Sequence, residues 1–129
     1  MTRVNLQPPE TLCDKHLMAE LREMKRIPNS IVSGKLRPGA ITDKFVLGTG
    51  HVKFFSDKLK WLYDRYVDVF EECVVRGMNV NWMWPSHDWL YFYDLGLWND
   101  WEPSTEELEL SMGMVFERLP KNAKWTKGC

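Results

Sequence analysis

The apolar residues Val52, Phe55, Leu59, Leu62, Tyr66, Val69 and Cys73 recur at alternating spacings of three and four. That is the repeat of one helical face, and a strand, which alternates every second residue, cannot reproduce it. The spacing predicts a helix over 52–73, with Gly77 after Arg76 as its left-handed terminator. A stripe of that length has to be covered. With 129 residues and 44 % hydrophobic content, the chain has material for one core and for other helices to close over it.

Two more helices are expected. The first begins near Thr11, with Thr11 and Asp14 in the N-cap and N3 positions of an acidic capping box. It runs through Leu17, Met18, Leu21 and Met24 to about Arg26, where Pro28 is expected to stop it. Residues 27–45, punctuated by Pro28, Asn29, Gly34, Pro38 and Gly39, read as a loop. The last helix starts at Ser104, with Glu107 completing a capping box, and buries Leu108, Met112, Val115 and Leu119 before Pro120 ends it. Between the second and third lies an aromatic-rich segment with Trp82, Trp84, Trp89, Tyr91, Phe92, Tyr93, Trp98 and Trp101, read as irregular chain wrapping the core. The fold class is all-α: a single domain over 1–129, with three main helices and this irregular segment between the second and third.

Charge is unevenly spread. Residues 1–60 carry 11 Lys/Arg against 6 Asp/Glu, whereas residues 61–129 carry 6 against 12, within a net charge of −1. A phosphate-binding surface needs only a local basic patch, since fields decay over roughly 8–10 Å in physiological salt. On a helical wheel the first helix packs Leu17, Met18, Leu21 and Met24 on one arc. Its opposite face carries His16, Glu20 and Glu23, bordered by Lys15, Arg22 and Arg26. Read without further information, that face is a solvated surface with ion pairs such as Glu23–Arg26.

Several chemistries are excluded. His16, His51 and His87 have no ligand spacing with Cys13, Cys73 and Cys129, so no metal site is expected. The Gly48–Thr49–Gly50 segment lacks the Lys-Ser/Thr of a phosphate-binding loop. No serine sits in a nucleophile elbow. The odd, scattered cysteines argue against a disulfide framework and for an intracellular setting. No apolar run approaches the ~20 residues of a membrane span, and no signal-peptide core opens the chain.

Two blocks go further. Met1–Leu6 with Asp14–Glu23, and Val46–Leu59 continuing into Glu72–Cys73 and Arg76–Gly77, closely resemble the phage pyrimidine-dimer DNA glycosylases of the UV-repair endonuclease V type. The resemblance covers about half the chain and implies one domain of three main helices. It also implies a glycosylase with abasic-site lyase activity. Met1 would be removed, and the freed amine of Thr2 would attack the deoxyribose and form an imine. Glu23 would be the catalytic carboxylate. Arg3, Lys15, His16, Arg22 and Arg26 would face the lesion or its phosphates. The family's aromatic and basic tail, Trp-Tyr-Lys-Tyr-Tyr, is matched only at Trp125 and Lys127. The implied partner is lesion-bearing double-stranded DNA, bound by a monomer in the cytoplasm of a bacterium or phage-infected cell, with no cofactor, obligatory protein partner or membrane. Because the tail departs from the family's, the same chemistry on abasic or alkylated sites stays open. So does a non-catalytic DNA-binding module of the same fold.

Overall fold

The computed structural model describes residues 4–37, 45–46, 50–86 and 89–117. The long apolar stripe is the spine of the fold, but it is carried by two helices. α3 spans His51–Phe55 and α4 spans Leu59–Val75, with a break at Ser56–Lys58 where Lys58 leaves the helical region (φ −123°, ψ 46°). The Lys58 ammonium donates to the Phe54 carbonyl at 3.0 Å and stands 3.9 Å from the centre of the Phe54 ring, which stabilises the corner. Phe55, Leu59, Leu62, Tyr66, Val69 and Cys73 are all fully buried. α4 ends as the sequence predicts. Gly77 has φ 78°, and the Met78 and Gly77 N–H groups donate to the Cys73 and Val74 carbonyls, the paired bonds of a Schellman motif.

α1, Asp14–Met24, packs across α4. It starts later than its sequence suggests. A short 3-10 turn occupies Pro9–Thr11, the Thr11 hydroxyl donates back to the Pro8 carbonyl at 2.7 Å, and Cys13 takes the N-cap position. Pro28 does not end the helical chain. After a one-residue junction at Lys25, α2 spans Arg26–Val32 with Pro28 in its first turn, where a missing N–H costs nothing and φ is already set. α2 buries Ile27, Pro28 and Ile31, so part of the expected loop is core.

Within the aromatic segment a further short helix, α5, spans Trp89–Asp94 and buries Phe92. Its Gly96 turn feeds Leu97 and Asn99 carbonyls to the N–H groups of Leu59 and Trp61. α6 spans Thr105–Glu117. Its predicted capping box is present: Ser104 N–H donates to Glu107 Oε1 at 2.9 Å, and Glu107 N–H donates to Ser104 Oγ at 3.2 Å. The face it turns inward is the predicted one at Val115 but not at Leu108 and Met112. Ser111 and Val115 are buried, while Leu108 and Met112 are 37 % and 40 % exposed; Leu119 and Pro120 lie outside the described residues. The inward face is chosen by polar partners. Glu107 Oε2 accepts from Phe45 N–H at 2.6 Å and Ser111 Oγ from Leu6 N–H at 3.0 Å, which buried backbone donors require.

Among the described residues there is no strand, and the fold is all-α. One hydrophobic cluster joins Val4 and Leu6 to α1, α2, α3, α4, Trp84, Phe92, Leu97 and Val115. None of the described helices is long and apolar enough to cross a membrane. Cys73 is free and buried.

Candidate active site

The residues that precede the first helix are irregular chain that is tightly held. Val4, Asn5, Leu6 and Gln7 are all at least nine-tenths buried, and non-helical backbone at that depth needs a partner for each polar group. Val4 N–H donates to His51 Nε2 at 3.0 Å. Because Nε2 accepts, the proton sits on Nδ1, which lies 2.9 Å from the Val46 carbonyl; the imidazole is thus held neutral in one tautomer. Ser111 Oγ accepts from Leu6 N–H and donates to Gln7 Oε1 at 2.8 Å, and Gln7 Nε2 donates to the Leu108 carbonyl at 3.1 Å.

The centre of this anchorage is an ion pair. Glu20, 1 % exposed on α1, accepts from Arg65 Nε at 2.7 Å, from Arg65 Nη2 at 2.9 Å and from Asn5 Nδ2 at 2.9 Å. Arg65 Nη1 also donates to the Gln7 carbonyl. The fork of the guanidinium thus spans one carboxylate and one backbone oxygen, tying α1 and α4 to the N-terminal arm. Such a pair stays charged in the interior only because its hydrogen-bonding capacity is used.

Glu23 follows Glu20 by three residues on α1 and has a different environment. It is partly exposed, and among the described residues its carboxylate makes no hydrogen bond or ion pair. The predicted Glu23–Arg26 pair is absent. Lys15, Arg22 and Arg26 are exposed. They too lack carboxylate partners among the described residues, whereas Lys58, Lys60, Arg65 and Arg76 each have one within 3.0 Å. Among the described residues, α1 therefore presents Lys15 and Arg22 as an uncompensated cationic ridge beside an unpaired Glu23 carboxylate, with Arg26 following at the start of α2.

Of the residues singled out by sequence, Lys15, Arg22 and Glu23 share one side of α1 by helix geometry, and Arg26 opens α2. His16 is only 6 % exposed. Thr2, Arg3, Trp125 and Lys127 lie outside the described residues. Sequence reasoning puts Glu20 on the solvated face of the first helix, where the structure buries it, and gives no role to Asn5, His51, Arg65 or Ser111, which also hold the arm. One signal was available: Arg65 comes three residues after Leu62 and four before Val69, a charge on the flank of an otherwise apolar stripe. Among the described residues, no group of three or more His, Cys, Asp or Glu side chains is arranged to hold a metal ion.

A family model described as pyrimidine dimer DNA glycosylase matches residues 1–86. The chain belongs to that family. The matched span contains the N-terminal arm, α1 to α4, and every polar partner of the arm except the two supplied by α6. As a pyrimidine dimer DNA glycosylase the protein acts on DNA.

Proposed function

We propose that this glycosylase excises cyclobutane pyrimidine dimers from UV-damaged DNA with the α-amine of Thr2 as nucleophile, and then nicks the strand at the resulting abasic sugar. The observation that carries this reading is the placement of Glu23. Its unpaired carboxylate stands three residues, about 4.5 Å of helix axis, beyond the Glu20 that fastens Asn5. Three residues of chain reach at most about 11 Å, so an amine at Thr2 has Glu23 within its range.

An α-amine ordinarily titrates at about 8, against about 10.4 for lysine, so it is a usable nucleophile at neutral pH without burial. Its lone pair attacks C1′, the C1′–N bond breaks, and the pyrimidine leaves with that electron pair and takes up a proton. The sugar ring opens at O4′ as the imine forms. Loss of a C2′ proton then breaks the C3′–O bond and expels the phosphate, and water hydrolyses the imine to free the amine. Glu23 offsets the positive charge that develops on the sugar and relays protons in these steps. Arg3, Lys15, Arg22 and Arg26 bind phosphates or the lesion, with Trp125 and Lys127 contributing from the tail. His16 supports the pocket from beneath. Neither a cofactor nor a second protein is needed, and a monomer suffices.

Borohydride trapping tests this on two duplexes, one carrying a thymine dimer and one an abasic site, with protein lacking Met1. A covalent adduct on both is expected. Adduct on the abasic site alone moves the substrate to another lesion, a reading favoured by a tail that keeps only Trp125 and Lys127 in register. Binding without any adduct leaves a non-catalytic module.

A further inference from the structure

On the flank of α1 that turns away from Glu23, the helix and the segment Met78–Met83 enclose a groove of ≈ 300 Å³. Arg22 and Lys25 line one wall, and Asn79 and Asn81 line the other. Lys25 and Glu23 are two residues apart, about 200° around the helix, so the cationic ridge stands between the groove and the candidate catalytic carboxylate. No carboxylate lines the groove. Among the described residues, neither cation has an ion-pair partner, and neither asparagine amide makes a hydrogen bond.

The far wall is built and held. Met83 N–H donates to the hydroxyl of the buried Tyr66 at 2.9 Å. Trp82 packs edge-on to Tyr66 and Phe70, with ring centres 4.9 and 5.3 Å away. The Schellman turn at Gly77 fixes where the segment leaves α4. Asn79 and Asn81 are exposed on it, two residues apart.

We infer that this groove is a second backbone-binding line for DNA: Arg22 and Lys25 pair with phosphates, and the Asn79 and Asn81 amides hydrogen-bond to phosphate or sugar oxygens opposite. Two cations three residues apart on a helix stand about 5–6 Å from each other, close enough to serve neighbouring phosphates. Neutral amides on the other wall add hydrogen bonds without base preference, which suits contacts that set register rather than sequence. The inference rests on the glycosylase reading and adds Lys25, Asn79 and Asn81 to the contacts already given to Arg22 on the α1 ridge.

The test is the binding of undamaged duplex DNA across a salt series, with thermal melts confirming that each variant is folded. Lys25→Ala is expected to weaken binding at least fivefold and to lower the slope of log affinity against log salt by about 1. Asn81→Ala is expected to weaken binding about fivefold with the slope unchanged, since a neutral hydrogen bond releases no counterion. Lys60→Ala, whose lysine pairs with Asp64 on the outside of α4, is expected to bind as wild type does. A folded Lys25→Ala with wild-type affinity and slope would overturn the groove while leaving the glycosylase intact, provided the wild type still binds and traps. A wild type that neither binds duplex nor traps would overturn the glycosylase reading and the groove with it.

Discussion

Two glutamates three residues apart on α1 have opposite fates, and the difference is one of partners. Glu20 is enclosed by Arg65 and Asn5, while Glu23 has no partner among the described residues. Glu23→Gln is therefore expected to keep the fold and most of the DNA affinity but abolish strand cutting, seen as uncut product on a dimer duplex under saturating enzyme. Glu20→Gln has the converse signature. It leaves the Arg65 charge buried without its counter-ion, a loss of about 3–5 kcal/mol in denaturant unfolding. Cys73 gives a third readout. Burial pushes its thiol up to about 11, against a partial lowering by Arg76. Iodoacetamide at neutral pH is accordingly expected to modify it only once the chain is unfolded. The same shift makes stability fall as pH rises from about 9 toward 11, because the native thiol keeps a proton that the unfolded one has lost. Alkaline melts of Cys73→Ala should show a shallower fall.

At the level of elements, local chemistry was legible wherever a helix end is decided by its own residues. The Ser104–Glu107 box and the Gly77 terminator are present. Ser104→Ala should lower stability by about 1 kcal/mol, measured by chemical denaturation. Where the decision passes to neighbours, sequence reading failed. Pro28 breaks a helix interior but is welcome in a first turn, and the Lys25 junction that makes it so is not encoded by Pro28 itself. The stripe over 52–73 was read as one helix because a corner at Ser56–Lys58 preserves the face on which Phe55 and Leu59 sit. α6 turned Ser111 inward and Leu108 outward because the buried N–H groups of Leu6 and Phe45 had to be met.

For the whole molecule, the N-terminal arm is what the helices are assembled around. His51 from α3, Glu20 from α1, Arg65 from α4 and Ser111 from α6 all meet within four residues of it. Arm anchorage and global stability are therefore expected to be lost together, in one transition, when denaturant unfolding is followed by tryptophan fluorescence and by trapping competence. The sequence by itself determined the helical class, the buried stripe, the charge asymmetry and the family, because periodicity, capping and a long local match are properties of neighbouring residues. It also placed Lys15, Arg22 and Glu23 on one face of α1, since 100° per residue is fixed by the backbone, whereas Arg26 falls beyond the Lys25 junction in α2. Only the tertiary structure decided that Glu20 is interior, that Arg65 and His51 hold the arm, and that Asn79 and Asn81 face Lys25. Those pairings join residues 15 to 58 positions apart along the chain, and their selection depends on which polar groups are sealed from water together. No local pattern carries that information.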